Sequence, residues 1–374
     1  MSLILQEITS RRGLKEFIAF PYHLYNKNKF YIPPLRIDEL RTLDEKTNPA
    51  FDFCKSKYWL VYSDKKIVGR IAGVINCKFN DKFNRKEARF GWLDFIDDTD
   101  ISSLLLNAVE SWAAKEGMKS IHGPLGFTDM DGEGLLIEGY EEVSTLGNIY
   151  NYPYYRNHIE NNGYTKDIDW IEFTVNVPKS IPEKVERIAA ISKERYNLTI
   201  PVFKNSKEML PFAKDIFLMI NQTYKELYGF VELTDKQIDF YVKQYFSFIR
   251  PEFLPLVLDG NNKLAAFGIT MPSLNNALKK INGRLLPFGF LHLLKERKYS
   301  KKLDLYLTAV RSDLQNKGVN ALLIEQIAKV CIQQGIKTVE TNRELETNEK
   351  VQAQWRFFDA RQHKRRRCYK KQLT

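Results

Sequence analysis

One order of elements occurs twice in this chain, and that repetition limits the fold more than anything else in the sequence. Residues 58–76 read as two strands joined at Asp64-Lys65-Lys66. Residues 253–270 read as two strands joined at Asp259-Gly260-Asn261-Asn262. Polar turn residues between β-branched and aromatic runs signal hairpins. A third strand follows in each half, at 89–95 and 303–310, and leads into a helix. The first helix, 101–116, has Ile101, Leu104, Leu105, Ala108 and Trp112 on one face. The second carries Leu323, Ile324, Ile327, Ala328 and Cys331 at comparable spacing. Gly117 and Gly335 stand where the two helices should stop. Each half then has a short strand (120–122, 338–340), a helix (154–162, 348–360) and a closing strand (170–175, 366–371). Prolines at 178 and 182 mark a linker. The expectation is an α/β (α+β) protein of two domains, 1–177 and 178–374, each a mixed twisted sheet flanked by helices.

The insertions differ. The first half carries a Gly-rich acidic segment, 123–142. The second carries residues 272–302, in which no helical hairpin is evident.

Length and composition leave room for such a fold. Of 374 residues 44% are apolar, enough for sizeable cores. The net charge is +11, concentrated at 363–371 and 295–302. Such patches attract phosphates, anionic membrane surfaces or nucleic acid. If residues 365–367 form the last strand, Arg366 faces one side and Arg365 and Arg367 meet solvent. The alternative is that this cluster docks on anionic lipid headgroups. Cys54, Cys77, Cys331 and Cys368 form no CxxC pair, so no zinc site or disulfide framework is indicated. The chain's start lacks the apolar core of a signal peptide, and no apolar run reaches about 18 residues. The expected location is cytoplasmic, with peripheral contact at the inner membrane face.

The richest local signal lies at 303–335. A strand delivers Gln315, Lys317, Gly318 and Asn320 to the start of a helix. Unpaired N–H groups point outward there, and the helix dipole favours negative charge. A phosphate-bearing ligand is therefore expected at the backbone of 317–321, with Arg311 or Lys317 meeting phosphate oxygens. The matching turn in the first half, Asp97-Asp98-Thr99-Asp100, is acidic. Carboxylates there would cap their own helix and repel a pyrophosphate.

Element order and this turn together resemble the GNAT superfamily of acyl-CoA N-acyltransferases. That family's signature is Arg/Gln-x-x-Gly-x-Gly/Ala at the start of the helix after its fourth strand. Residues 315–320 match it at Gln315 and Gly318 and depart at Asn320. The resemblance implies acetyl-CoA or a longer acyl-CoA as co-substrate. It would be held by Val310, Arg311, Gln315, Asn316, Lys317, Gly318, Val319, Asn320 and Ala321. Asn348 would begin the closing helix, and residues 355–358 would approach the thioester sulfur. The acidic first-half turn makes that domain degenerate. A longer pattern, 122–140 followed by 150–155 and Asn162-Gly163-Tyr164, resembles the group containing bacterial ceramide synthases. It implies a long-chain, sphingoid-type amine as acceptor.

Acyl transfer to an amine needs a base, because a free amine is mostly protonated at neutral pH. Asp129, Asp131, Glu133 and Glu138 of the acidic insertion are candidates. The competing reading is that they cap turns and pair with Arg or Lys. Asp304 and Tyr306 share a strand face, and Tyr306 is a candidate donor to the departing thiolate. Tyr154 is a rival. The five histidines form no metal-binding pair, and no GxSxG elbow or P-loop occurs, so no metal is expected. The expected partner is a small-molecule or lipid amine, with no specific nucleic acid. Two alternatives stay open: an aminoacyl-tRNA-dependent transferase resembling the Fem ligases, and a non-catalytic GNAT-fold protein that binds acyl-CoA.

Overall fold

In the computed structural model, which describes residues 2–373, the chain builds two units. The first holds the chain up to Ile171, Asn275–His292 and everything from His363. The second holds Glu172–Leu274 and Leu293–Gln362.

The first unit opens with β1 (Leu3–Glu7), α1 (Arg11–Leu24) and α2 (Arg36–Leu43). β2 (Cys54–Ser63) pairs with β1 and turns into β3 (Lys66–Asn76) through Asp64 and Lys65. Both turn residues have positive φ, as a two-residue hairpin requires. After α3 (Cys77–Phe83), β4 (Glu87–Phe95) adds antiparallel to β3. α4 (Thr99–Lys115) crosses back over the sheet to β5 (Ser120–Gly123), which runs parallel to β4. β6 (Leu135–Glu138), α5 (Tyr154–Asn161) and β7 (Thr165–Asn176) follow. α4 can lie close to β3 because Gly69 and Gly73 present no side chain. A Cβ at either would stand under 3 Å from Leu105 or Trp112. Ile101, Leu105, Val109 and Trp112 are buried there with Trp59, Ile71 and Phe90.

The second unit repeats the plan. α6 (Glu183–Arg195), α7 (Leu210–Tyr224) and α8 (Asp235–Tyr245) precede β8 (Leu256–Leu258) and β9 (Leu264–Pro272). Between β9 and β10, residues 272–302 hold two helices, α9 (Asn275–Ile281), which belongs to the first unit, and α10 (Gly289–Tyr299). The sequence pattern shows no helical hairpin there, because the Pro287 and Gly289 interruption hides the pair. β10 (Lys302–Val310), α11 (Val319–Gln334) and β11 (Thr338–Glu340) complete the repeat. After β12 (Glu344–Leu345), the helix expected over 348–360 is only α12 (Glu349–Gln352) and a 3₁₀ turn, Ala353–Phe357. Trp355 is drawn into the core with Leu303, Val339 and Cys331, which tightens the turn. β13 (Ala360–Gln372) then begins six residues before the expected Arg366.

The closing strands are exchanged. β7, from the first half of the sequence, pairs with β11 of the second unit, Val175 opposite Val339. β13, from the end of the chain, pairs with β5 and β6 of the first unit, Lys370 opposite His122. Neighbouring strands run β1-β2-β3-β4-β5-β13 in the first unit and β7-β11-β10-β9-β8 in the second.

This exchange settles the C-terminal basic run. Arg365 and Arg367 do not meet solvent as expected; both pair with the buried Asp169, at 3.2 and 2.8 Å. Arg366 is fully buried and donates to the Ile149 carbonyl. Lys370 pairs with Glu87, and Lys371 with Glu110 at 2.7 Å. Arg365, Arg367, Lys370 and Lys371 are therefore matched by carboxylates inside the first unit. No helix among the described residues is long and apolar enough to cross a membrane.

Candidate functional site

The second unit's site is built on a strand that leaves its neighbour. β10 runs parallel to β11 for three pairs only, ending at Asp304 opposite Glu340. β10 continues to Val310 with no strand on that side among the described residues. One residue is also inserted at Tyr306 against β9, a bulge that bends and twists the strand. Strands that part in this way leave a wedge with backbone groups to satisfy. The Asn342 amide takes one of them, donating to the Tyr306 carbonyl at 3.0 Å.

Beyond the wedge the chain turns into α11. Asn316 and Gly318 both have positive φ. Gly318 is required twice over. Its φ of 79° penalises a side chain, and a Cβ would lie 2.5 Å from Ser192 and 2.7 Å from Ile188 of α6. Ser192 also donates to the Lys317 carbonyl at 2.9 Å. No side chain caps α11, so the N–H groups of Val319 and Asn320 stay open to a ligand, while that of Ala321 donates to the Gly318 carbonyl at 3.0 Å. Gln315, Asn316, Lys317 and Asn320 are exposed around them, whereas Val319 and Ala321 are buried. Gln315 donates to the Val310 carbonyl at 3.1 Å and so clamps the strand end. The Lys317 ammonium lies over the Tyr196 ring, 5.3 Å from its centre.

Arg311, at the end of β10, pairs with Asp313 at 2.7 Å and with Asp259 at 2.8 Å. Those carboxylates raise its pKa, and its guanidinium in turn lowers theirs.

Beside the turn lies a shallow, mostly apolar hollow, open to solvent at its mouth. Leu305 and Thr308 of β10, Val339 of β11, Asn320 and Ile324 of α11, and Trp355 are among its walls. Such walls suit an acyl or pantetheine chain better than a phosphate. Asp304 and Tyr306 do not line it. Asp304 is buried, and the Tyr306 hydroxyl is out of solvent's reach beside it. Burial and then the Asp304 carboxylate push that phenol well above its ordinary range, so it keeps its proton. Asn348 caps α12 by position only, without a side-chain bond.

Glu344 escapes the sequence pattern altogether. Its Oε1 accepts from the Trp355 indole at 2.8 Å, and its Oε2 has no partner among the described residues. Burial pushes this carboxyl up to about 7, against the lowering effect of the indole bond. Oε2 is out of solvent's reach and Glu344 is not among the hollow's walls, whereas Trp355, which binds Oε1, is. No spacing in the sequence singles it out; the indole that holds it belongs to the aromatic cluster expected near the thioester.

The first unit shares the bulged strand and a perturbed acid but differs at the helix start. Asp98 caps α4, accepting from the Asp100 and Ile101 N–H groups at 2.9 and 3.2 Å. Its bulged strand β4 carries Trp92 at φ 43°, and the Trp92 indole donates to Glu39 at 3.2 Å. Burial pushes Glu39 up to about 7 as well. Gly91 lies against the Leu125 backbone, so the loop after β5 fills the space beside β4. That loop carries the candidate acids. Asp131 accepts from the Thr128 N–H at 3.0 Å, and Asp129 and Glu133 lie in the same loop. Tyr154 donates to the Phe95 carbonyl at 2.6 Å, and burial raises its pKa. His122, Asp167 and Cys368 have ligand atoms within 4.8 Å of one another. Burial, Arg89, Lys370 and Arg85 hold His122 neutral, and the same three cations oppose a metal ion there.

Together these features define a tandem GNAT fold. The chain superposes over its whole length on a tandem GNAT protein from the clavulanic acid biosynthesis pathway, with a TM-score of 0.58, 11% identity and 99% of that chain covered. No family model matches the sequence. Among curated proteins it is 28% identical to protein YghO of Escherichia coli strain K12, over 99% of this chain and 95% of that one. It is 25% identical to the bacterial ceramide synthase of Caulobacter vibrioides, over 75% of this chain and 73% of that protein.

Proposed function

We propose that this protein transfers an acyl group from acyl-CoA to the primary amine of a long-chain, sphingoid-type acceptor. The observation that carries the reading is the start of α11, an uncapped helix N-terminus at the end of a strand that has parted from its neighbour. That arrangement meets a pyrophosphate with backbone N–H groups, while the apolar hollow takes the chain beyond it. The similarity to a protein named a bacterial ceramide synthase supports the acceptor class.

In this reading the amine nitrogen attacks the thioester carbon, the C–S bond breaks, and an amide and a thiol result. Glu344 is not itself a wall of the hollow, but Trp355, which binds its Oε1, is, so Glu344 takes the proton that the amine must lose through a water. The thiolate leaves with a proton from solvent or a neighbouring group. Tyr306 is too deeply held beside Asp304 to be the preferred donor.

The test is calorimetric titration of the full chain with acetyl-CoA and palmitoyl-CoA, followed by thiol release with sphinganine as acceptor. One site of micromolar affinity for the long acyl-CoA and amine-dependent thiol release are expected. Binding without release with any amine would leave a non-catalytic acyl-CoA-binding protein. No binding by a folded sample would sink the reading.

A further inference from the structure

The segment between β9 and β10 has no part in that chemistry, yet it carries the most unusual surface of the molecule. Seventeen large apolar side chains are exposed among the described residues, and six of them lie between 286 and 299. Leu286 is 75% exposed, Phe288 69% and Leu291 51%. Phe290, Leu291 and Leu294 fall at i, i+1 and i+4 of α10 and share one face of it. Isolated exposed apolar residues are ordinary, but a cluster of this kind is not.

The charge around the cluster has one sign. Residues 279–302 contain eight Lys or Arg and one acid, Glu296, a net +7 of the chain's +11. Lys295 and Lys298 follow the apolar face of α10, and Arg284 precedes Leu286. None of these three makes an ion pair among the described residues. This is the reverse of the C-terminal run, where Arg365, Arg367, Lys370 and Lys371 are matched by carboxylates.

The segment is also held at both ends. The Arg36 N–H donates to the Gly283 carbonyl at 3.0 Å, and Asn275 donates to the Ser144 carbonyl at 3.0 Å. At the other end Arg250 donates to the Arg297 carbonyl at 3.3 Å, and Arg297 to that of Phe248. Phe248 and Tyr245 add two more exposed rings at that end.

We propose that residues 285–299 are a docking element for an anionic lipid bilayer. Leu286, Phe288, Phe290 and Leu291 would enter the boundary between headgroups and acyl chains. Arg284, Lys295 and Lys298 would meet the lipid phosphates. A nucleic acid would use the cations but leave the apolar side chains in water, so the lipid fits both halves of the surface. The inference does not depend on the acyl-transfer reading.

Vesicle flotation of the full chain tests it, with phosphatidylcholine alone and with added phosphatidylglycerol. Binding only to the anionic vesicles is expected. Leu286→Ser/Phe288→Ser/Leu291→Ser should weaken it on the order of tenfold at any salt. Lys295→Glu/Lys298→Glu should weaken it on the order of tenfold at low salt, and less at high salt, where wild-type binding is itself screened. Circular dichroism and thermal melts of both variants should match the wild type. A wild type that stays with the aqueous fraction would overturn the proposal, and so would binding indifferent to both variants. A dimer that the triple Ser variant dissolves would assign the face to a second copy of this chain. Binding of bulk tRNA that survives the Ser substitutions, without vesicle binding, would assign it to nucleic acid.

Discussion

The two units start their crossing helices from the same topological position, yet they treat the helix terminus in opposite ways. At α4 the Asp98 carboxylate spends the first N–H groups on itself. At α11 a left-handed Gly318 leaves those of Val319 and Asn320 unspent, with the exposed Lys317 and Asn320 side chains beside them. Both feeding strands are bulged, and both units hold a carboxyl near pKa 7 against an indole, Glu39 with Trp92 and Glu344 with Trp355. The difference teaches that topology, bulge and a perturbed acid are common to both units. What separates them is whether the helix start is already satisfied, and whether the space beside the strand is filled.

The sharpest test of that comparison compares the two acids. Under the proposed reaction Glu344→Gln should lower the acyl-transfer rate by on the order of a hundredfold or more. Glu39→Gln should leave it nearly unchanged. The wild-type rate should rise with pH through about 7 and then level, and Glu344→Gln should lose that limb. Stability moves too. With a folded pKa of about 7 against an ordinary 4.5, the folded state keeps a proton that the unfolded state releases between those values. Stability therefore falls as pH rises through that window, by up to roughly 3 kcal/mol. Glu344→Gln should melt above the wild type at pH 8 and level with it at pH 4. Equal loss of rate from both Gln variants would erase the distinction between units.

Next in size is Gly318→Ala. The left-handed backbone costs about 1–2 kcal/mol and the forced contact with α6 about 1–3 more. Gly117→Ala, at a similar φ of 81° but with nothing within 4 Å, should cost only the first part. Urea melts of the two variants separate them. Equal losses would mean that the close approach of α6 and α11 tolerates a methyl.

Much of this contrast is legible in the sequence itself. The paired order of elements, the caps at Gly117 and Gly335 and the self-capping Asp98 are local, and local chemistry writes itself into short stretches. What escapes depends on residues far apart in sequence. Arg365 and Arg367 read as solvent-facing because Asp169 lies some two hundred residues earlier. The pairing of Arg311 with Asp259 is not legible because Asp259 belongs to another strand end. Glu344 has no spacing to mark it, since its pKa comes from burial that only the packed Trp355 provides. The exchanged closing strands escape for the same reason: pairing is nonlocal.

The comparison can also be broken by grafting the first unit's charge onto the second. Asn320→Asp places a carboxylate in the first turn of α11, where the dipole favours it by about 0.3–1 kcal/mol. Folding should therefore be unharmed or improved. A pyrophosphate at the same N–H groups would be repelled, and acyl-CoA affinity should fall by on the order of tenfold to a hundredfold. Calorimetry at low and moderate salt measures both the loss and its screening. Unchanged affinity would move the phosphates away from α11.

The reverse graft is the smallest effect. Asp98→Ala removes the α4 cap and should cost about 1 kcal/mol, a shift of a few degrees in melting. It opens the N–H groups of Asp100 and Ile101, but Asp97 and Asp100 still stand beside them. Their charge and the backbone of Leu125 packed on Gly91 should keep the first unit closed to acyl-CoA. The titration stoichiometry should stay at one per chain. A second site appearing in Asp98→Ala would show that a single capping carboxylate, and neither the filled strand edge nor the remaining acids, is what silences the first unit.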